Sequence, residues 1–419
     1  DESEKILYYT GKLNIAEGVA AAITPNDYYT MSDFSSWGVP GSMELKPEIS
    51  APGGNIYSLK NGGAYQNMSG TSMASPQIAG MAAVVAQYIK ENGLSEKAGL
   101  SVRALAQSLL MSTAEPMIED YGKDGVGYYP VLRQGAGLAN VGAAVSSGSY
   151  LLMDANATDS YKDGKIKAEL GDDPDRDGLY SFGFTIYNME NSDTAFTLDS
   201  DFFTQDISGN RLSDDSVIYF EDSRTALIPA NVTWSIDGQT VETEDPSGLE
   251  HCDFNGDGKI NNEDGQALLD YVTGVRTEIN EKDHADFDAD GNIDTYDAYL
   301  FFKRLGKSAV LVPANGSVHV TVTAQLSKET LALYDAASDG TGTYVEGYVY
   351  ATELSSDEGV EGTQHSIPVL GYYGSWSEPS MYDIGSYLEY SNGLEDRPPY
   401  MYNAAGNNAL NYQTLIIQY

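Results

Sequence analysis

Two acidic twelve-residue loops constrain this chain more than any other feature. The first runs Asp253-Phe254-Asn255-Gly256-Asp257-Gly258-Lys259-Ile260-Asn261-Asn262-Glu263-Asp264. It sets oxygen-bearing side chains at positions 1, 3, 5, 9 and 12, with Gly258 at position 6, where the sharp turn needs it. The second, Asp286-Phe287-Asp288-Ala289-Asp290-Gly291-Asn292-Ile293-Asp294-Thr295-Tyr296-Asp297, repeats the pattern. Position 7 offers its backbone carbonyl, so Lys259 and Asn292 join the donor set whatever their side chains. Hard oxygens at this spacing predict Ca²⁺, one ion per loop and two in all, rather than Zn²⁺ or Mg²⁺. An apolar-faced helix is expected after each loop, through Ala267, Leu268, Tyr271 and Val272, then through Ala298, Phe301, Phe302 and Leu305. Pro246-Ser247-Gly248 argues against a helix entering the first loop. Bare carboxylates at this density repel one another, so calcium should fold the unit. Position 12 is Asp in both loops, not the Glu common in EF-hands.

The chain has 419 residues, enough for two to four domains. Its 62 acidic and 23 basic residues leave a formal charge of −39, which argues against nucleic acid or an anionic membrane as partner. A single cysteine, Cys252, rules out an internal disulfide framework but not secretion. No apolar run has the roughly 18 residues of a membrane span. The opening Asp1-Glu2-Ser3-Glu4 is no signal peptide, and the closing Leu415-Ile416-Ile417-Gln418-Tyr419 reads as a strand. Both ends are expected to be cut edges of something longer.

Residues 1–150 mix short apolar strands with two helical stretches, 76–91 and about 101–113, which suggests an α/β layer architecture. From about 151 to 250 the pattern alternates, as in Tyr180-Ser181-Phe182-Gly183-Phe184-Thr185-Ile186-Tyr187. Alternation returns over 308–376, in Val318–Val322 and Tyr344–Tyr350, so one β-sandwich is expected, with 251–307 inserted in a loop. Residues 377–419, rich in Tyr and Asn, are expected to begin a further β-rich domain or tail. Asp172-Asp173-Pro174-Asp175-Arg176-Asp177-Gly178 reads as a solvated turn before it reads as a cation site.

Gly70-Thr71-Ser72-Met73-Ala74-Ser75-Pro76 is the sharpest local signal. A Gly-Thr turn leads into a helix whose first turn would admit Pro76, which puts the Ser72 hydroxyl at a helix N-terminus. Free N–H groups and the positive dipole end there favour an oxyanion. A Ser in this place could equally be a plain helix cap. The longer run through Gln77-Ile78-Ala79-Gly80 resembles the nucleophile segment of subtilases. Phe34-Ser35-Ser36-Trp37-Gly38, Lys46-Pro47-Glu48-Ile49-Ser50-Ala51-Pro52-Gly53 and Gln134-Gly135-Ala136-Gly137-Leu138 extend the likeness over about 30–140. Together they resemble the cell-envelope branch of that family, which includes lactocepins and C5a peptidases. The resemblance implies that Ser72 is the nucleophile, that its own N–H forms half of an oxyanion hole, and that Thr71 assists. Gln77 stands where the family usually has His, outside the triad.

A serine hydroxyl needs a base. The four histidines are His251, His284, His319 and His365, and none lies in 1–150. In the family's order Asp, His and the oxyanion Asn precede Ser, so all three would be supplied from outside this chain. A two-chain protease, a truncated inactive chain and a pseudo-enzyme all fit, and in each case the chain alone should not hydrolyse peptides efficiently.

The loop-helix duplication over 252–306 resembles a type I dockerin, which implies attachment to a cohesin. Positions 10 and 11, which set partner choice in that family, are Asn262-Glu263 and Thr295-Tyr296; the pairs differ, which puts a symmetric dual binding mode in doubt. A calcium-stabilised insert that binds nothing is the plain alternative. Leu311–Ser317 and Ile367–Gly374 resemble the fibronectin-type domain that follows the catalytic domain in C5a-peptidase-like proteases. The expected whole is multidomain: an incomplete α/β subtilase catalytic portion, a fibronectin-type β-sandwich, and a small α-helical dockerin-like calcium domain inserted in the sandwich. The expected function is that of a secreted or cell-surface bacterial serine endopeptidase with a companion N-terminal protease chain, acting on proteins or peptides. The alternative is a non-catalytic scaffold or adhesion component whose working part is the dockerin-like module.

Overall fold

The computed structural model of the protein describes residues 30–38, 44–120, 126–154, 163–211, 217–240, 249, 251–260, 262–272, 276–287, 291–293, 297–298, 300–301, 308–337, 340, 342–354, 362–376, 400–402 and 409–411. Its first part holds a hairpin, β1 (Ile56–Lys60) with β2 (Ala64–Met68), then the helices α1 (Thr71–Glu91), α2 (Leu94–Ala98) and α3 (Val102–Ser112). A second hairpin, β3 (Ile118–Asp120) with β4 (Val126–Tyr128), leads to the short helices α4 (Val131–Gln134) and α5 (Val141–Ser146). The expected helices are present, each a few residues from the expected bounds. The layered sheet expected beneath them is not: among the described residues, the strands of this part up to Ser146 form two hairpins only. α1 and α3 pack on each other through Val85, Ile89, Leu105 and Leu109, and on Tyr150 and Leu152.

The alternating segments form two sheets. β5 (Ser149–Met153), β6 (Ala168–Asp173), β7 (Leu179–Asn188), β8 (Thr194–Arg211), β9 (Val217–Leu227), β10 (Ala230–Ile236) and β11 (Gln239–Thr240) precede the calcium-loop unit, which carries the helix α6 (Asn262–Val272). β12 (Ser308–Val312), β13 (Ser317–Leu326), the helix α7 (Lys328–Ala337), β14 (Thr343–Glu353) and β15 (Gln364–Tyr373) follow it. One sheet has the order β11-β10-β13-β7-β5; the other is β12-β8-β14-β15-β6, with β9 paired to β8. One buried core joins them, with Phe184, Ile186, Val320 and Val322 from the first sheet and Phe196, Val345, Val349 and Val369 from the second. Period-2 alternation produces this: Val320 faces Phe184 across one ladder, and their like-facing neighbours line the same side.

Residue 150, where the sequence pattern changes, falls inside β5, which pairs with β7. Residues 377–419 lie largely outside the described residues; within them β16 (Tyr400–Tyr402) pairs with β17 (Ala409–Asn411). The Asp172–Gly178 stretch folds as a turn. Asp173 accepts from the Asp177 and Gly178 N–H groups at 3.1 and 2.8 Å, and Arg176 pairs with Asp335 at 3.2 Å. Those carboxylates serve the turn itself.

Candidate active site

Ser72 is the second residue of α1 and is exposed. Gly70 occupies the cap position with φ 151°, a conformation that residues with a Cβ avoid. No side chain caps the helix, so the capping reading of Ser72 fails. Among the described residues nothing hydrogen-bonds to its hydroxyl. Its oxygen therefore sits at the positive end of a 21-residue helix with its lone pairs available. Pro76 lies deeper than expected, at the sixth position rather than in the first turn. A proline there has no N–H to give to the carbonyl four residues back, which is that of Ser72. The helix thus leaves Ser72 less constrained than an interior residue.

The loop before the helix is fastened to it. The Gly70 N–H donates to the Gly53 carbonyl at 2.9 Å. A Cβ on Gly53 would stand 2.9 Å from the Gly70 carbonyl and 3.2 Å from the Ala74 Cβ, so only glycine lets the two segments approach. Gln77 donates from Nε2 to the Pro52 carbonyl at 2.6 Å. The sequence departure at 77 therefore has a structural task, and its reach back to Pro52 carries no signal in the sequence.

A cleft of about 940 Å³ opens beside Ser72. Thr71, Ala74, Ser75 and Ile78 form its helical side, Pro47–Gly54 its floor, and residues from Thr30 to Ser36 its far wall. Ser72 is not among the residues that line it, though its neighbour Thr71 is. Glu48 lines the floor; burial pushes its carboxyl upward, but Lys165 and Lys46, each at 2.7 Å, outweigh that and hold it below the usual range. The cleft adjoins an apolar groove of about 590 Å³ between α1 and α3, lined by Ile78, Ala82, Ala83, Ala86, Val102 and Leu110; Ile49, Ile78 and Ala82 line both.

No histidine is bonded to Ser72. His365 is fully buried in β15 against three hydroxyls, Ser149 at 2.8 Å, Ser112 at 2.9 Å and Ser147 at 3.5 Å. Burial lowers its pKa to about 4. His319 meets Asp154 at 3.0 Å on the outer face of β13, a pair that the sequence, with the two 165 positions apart, did not announce. His251 and His284 stack on each other at 4.9 Å in the calcium-loop unit.

In the first loop Asp253 accepts from Gly256, Asp257 and Gly258 at 2.8 to 3.0 Å, Asn255 accepts from Asp257, and Asp257 accepts from Lys259. Asp264 is fully buried and accepts from the Asn255 N–H at 3.1 Å. In the second loop Asp297, also buried, accepts from the Phe287 N–H, and Asp286 from Gly291 at 3.0 Å. Asn292 is described; Asn261, Asp288, Asp290 and Asp294 lie outside the described residues. Among the described residues no three His, Cys, Asp or Glu side chains stand as a ready-made metal cage. The donors nonetheless fit a hard cation: each loop closes on a position-12 carboxylate buried at its base, and burying such a charge is costly without a positive partner. Phe254, Phe301, Leu268 and Ala285 make a small core beneath both loops.

The described residues thus set an exposed serine at a helix N-terminus in one part of the chain and two acidic turn-forming loops in another. Residues 4–142 match the subtilase family, and residues 251–306 match the dockerin type I domain. One segment of the chain thus matches the subtilase family of serine peptidases and another matches the dockerin type I domain. It is 33% identical over 238 residues to a PII-type proteinase of Lactococcus lactis subsp. cremoris, which covers 54% of this chain and 12% of that protein. It is similarly 33% identical over 237 residues to a PII-type proteinase of Lacticaseibacillus paracasei. A C5a peptidase of Streptococcus pyogenes is 29% identical over 203 residues, 48% of this chain and 16% of that protein. The chain spans well under a fifth of the length of these relatives.

Proposed function

We propose that this chain is the nucleophile-bearing part of a secreted, surface-associated subtilisin-like serine endopeptidase. The observation that carries the reading is the state of α1. It presents Ser72 exposed at its dipole end, next to Thr71 of the cleft lining, and the same helix lines the adjoining apolar groove. A companion segment that seals this groove and brings Asp, His and Asn to Ser72 would complete the site. The Ser72 hydroxyl then attacks a peptide carbonyl and passes its proton to the histidine. The Ser72 N–H and the asparagine amide hold the oxyanion, and Thr71 supports that side. The histidine next protonates the leaving amine, and water resolves the acyl-enzyme by the reverse route.

The dockerin domain supplies calcium-dependent attachment in this reading. Two Ca²⁺ ions bind, one through Asp253, Asn255, Asp257, Lys259, Asn261 and Asp264, the other through Asp286, Asp288, Asp290, Asn292, Asp294 and Asp297. The folded unit then docks on a cohesin. The two-sheet region acts as a fibronectin-type support into which the dockerin unit is inserted.

One observation favours a second reading, that of a non-catalytic surface scaffold: no histidine of this chain touches Ser72. Fluorophosphonate labelling of the isolated material, with the adduct located by mass spectrometry, separates the two. An adduct on Ser72 supports an assembled triad with its companion bound. No adduct on folded, calcium-loaded protein supports the scaffold.

A further inference from the structure

The far wall of the cleft hangs from α4. Among the described residues, every polar anchor of 30–38 outside the segment itself leads to Leu132 or Arg133. The Gly38 N–H donates to the Leu132 carbonyl at 2.8 Å, and the Ser35 hydroxyl to the Arg133 carbonyl at 3.1 Å. The Arg133 guanidinium reaches back with three grips. Nη2 donates to the Ser32 carbonyl at 3.2 Å, faces the Asp33 carboxylate at 3.7 Å, and the planar group lies over the Trp37 ring at 5.5 Å. A planar fork makes these contacts together; a lysine ammonium does not.

α4 is only four residues long and cannot hold its shape alone. Its first N–H groups have no partners within the helix. The second sheet takes one of them: the Leu132 N–H donates to Glu346 Oε2 at 2.9 Å. Tyr348, two residues along β14, donates its hydroxyl to the Gly135 carbonyl at 2.7 Å. Val131 and Leu132 are buried against Phe203, Tyr348 and Leu370. Glu346 is fully buried, so removing its carboxylate would leave the Leu132 N–H unsatisfied in the interior.

We infer that Glu346, on the central strand of the six-stranded sheet, is a positioning residue for the cleft: it fixes α4, and α4 fixes the 32–37 wall through Arg133. The inference rests on the peptidase reading for what the wall would bind, but not for the mechanical link. The second sheet is then a working part of the site and not only a support. Glu346 touches no substrate.

Hydrogen exchange of the whole chain tests the link without any need for activity. Glu346→Ala should speed exchange about tenfold or more at both 131–135 and 32–38. Glu346→Gln keeps one acceptor oxygen and the shape, and should restore most of the protection at both places. Arg133→Lys acts above α4, so it should speed exchange at 32–38 and leave 131–135 as in the parent. If Glu346→Ala loosens 131–135 while 32–38 is unchanged, Glu346 is a local cap and the inference falls. Should the Ala variant not fold, unchanged exchange at 32–38 in Arg133→Lys overturns it equally. In the completed protease, Arg133→Lys should raise KM for a peptide about fivefold with a smaller fall in kcat, and an unmoved KM would remove the wall from substrate binding. A parent complex that hydrolyses nothing would sink the peptidase reading and leave the exchange result standing.

Discussion

The helical region around Ser72 and the two-sheet region behind it are built from similar apolar content but closed to different degrees. In α1 only Val85 and Ile89 of 21 residues are buried, and Val84 is 52% exposed. In β15 nine of ten residues are buried, on both faces. The two-sheet region covers itself: each sheet is the other's lid, and α4 and its neighbours cover the outer side of β14. Among the described residues the helical region has one such lid, α3 against β5, and most of α1 stays at least partly exposed. Among the described residues one region can thus close its core while the other stays partly open.

The largest effect that would break this comparison is chemical. Ser72→Ala should lower kcat/KM of the completed protease by about 10³-fold or more, with no loss of stability, because the exposed hydroxyl holds nothing together. A drop in melting temperature comparable to that of a core mutant would show Ser72 to be structural. Next, Phe184→Ala in the shared core should cost about 3–5 kcal/mol in denaturant unfolding of the chain. Ala83→Asp, at an exposed position of α1 that lines the apolar groove, should cost less than about 0.5 kcal/mol in the chain alone. The same substitution should weaken association with the companion segment, which titration calorimetry reads.

Calcium removal sharpens the contrast further. Chelation should abolish the transition of the 251–306 unit and leave that of the two sheets in place. Saturating Ca²⁺ at about a hundred times its Kd adds roughly 2.7 kcal/mol to the unit that binds it. Loss of both transitions on chelation would mean that the sheets lean on the insert.

The protonic effects have opposite signs, so their net in the parent is the smallest of all. Burial pushes the Glu346 carboxyl up to about 7, against the nearby backbone N–H groups of Leu132 and Val131, which lower it. The folded state therefore holds that proton where the unfolded chain has lost it, and this contribution disappears as pH rises from about 4.5 to about 7, by roughly 3 kcal/mol. Burial instead lowers His365 to about 4, so the unfolded chain takes the proton first. That contribution is whole above about 6.5 and is lost as pH falls toward about 4, by a similar amount. The two nearly cancel in the parent. Glu346→Gln should unmask the histidine, giving stability that rises with pH across this window. A flat profile in that variant, measured by urea unfolding, would show that one of the two groups is not buried as described.

Much of this was legible in the residues. The 3.6-residue pattern of α1 and α3, the alternation of β7, β13 and β14, the ordered serine motif and the paired loops are local signals, and local signals survive in a sequence. The joints between regions were not legible. β5 continues the chain from the helices directly into a sheet, so the change of pattern near 150 marks no gap. Glu346 stands in an alternating run that reads as one wet and one dry face, yet both faces of β14 are buried once α4 covers the outer one. Its partner Leu132 is 214 positions away. Pro76 looked like a first-turn residue because the cap falls at Gly70, earlier than the pattern alone suggests.

The central claim is that this chain owns the nucleophile and lacks the base. Turnover of a protein substrate by the purified chain, with and without a companion segment carrying Asp, His and Asn, tests it most directly. The account predicts no efficient hydrolysis by the chain alone and hydrolysis that appears on mixing and vanishes in Ser72→Ala. Clear turnover by the chain alone, retained in that variant's parent after removal of every trace of companion, would contradict it.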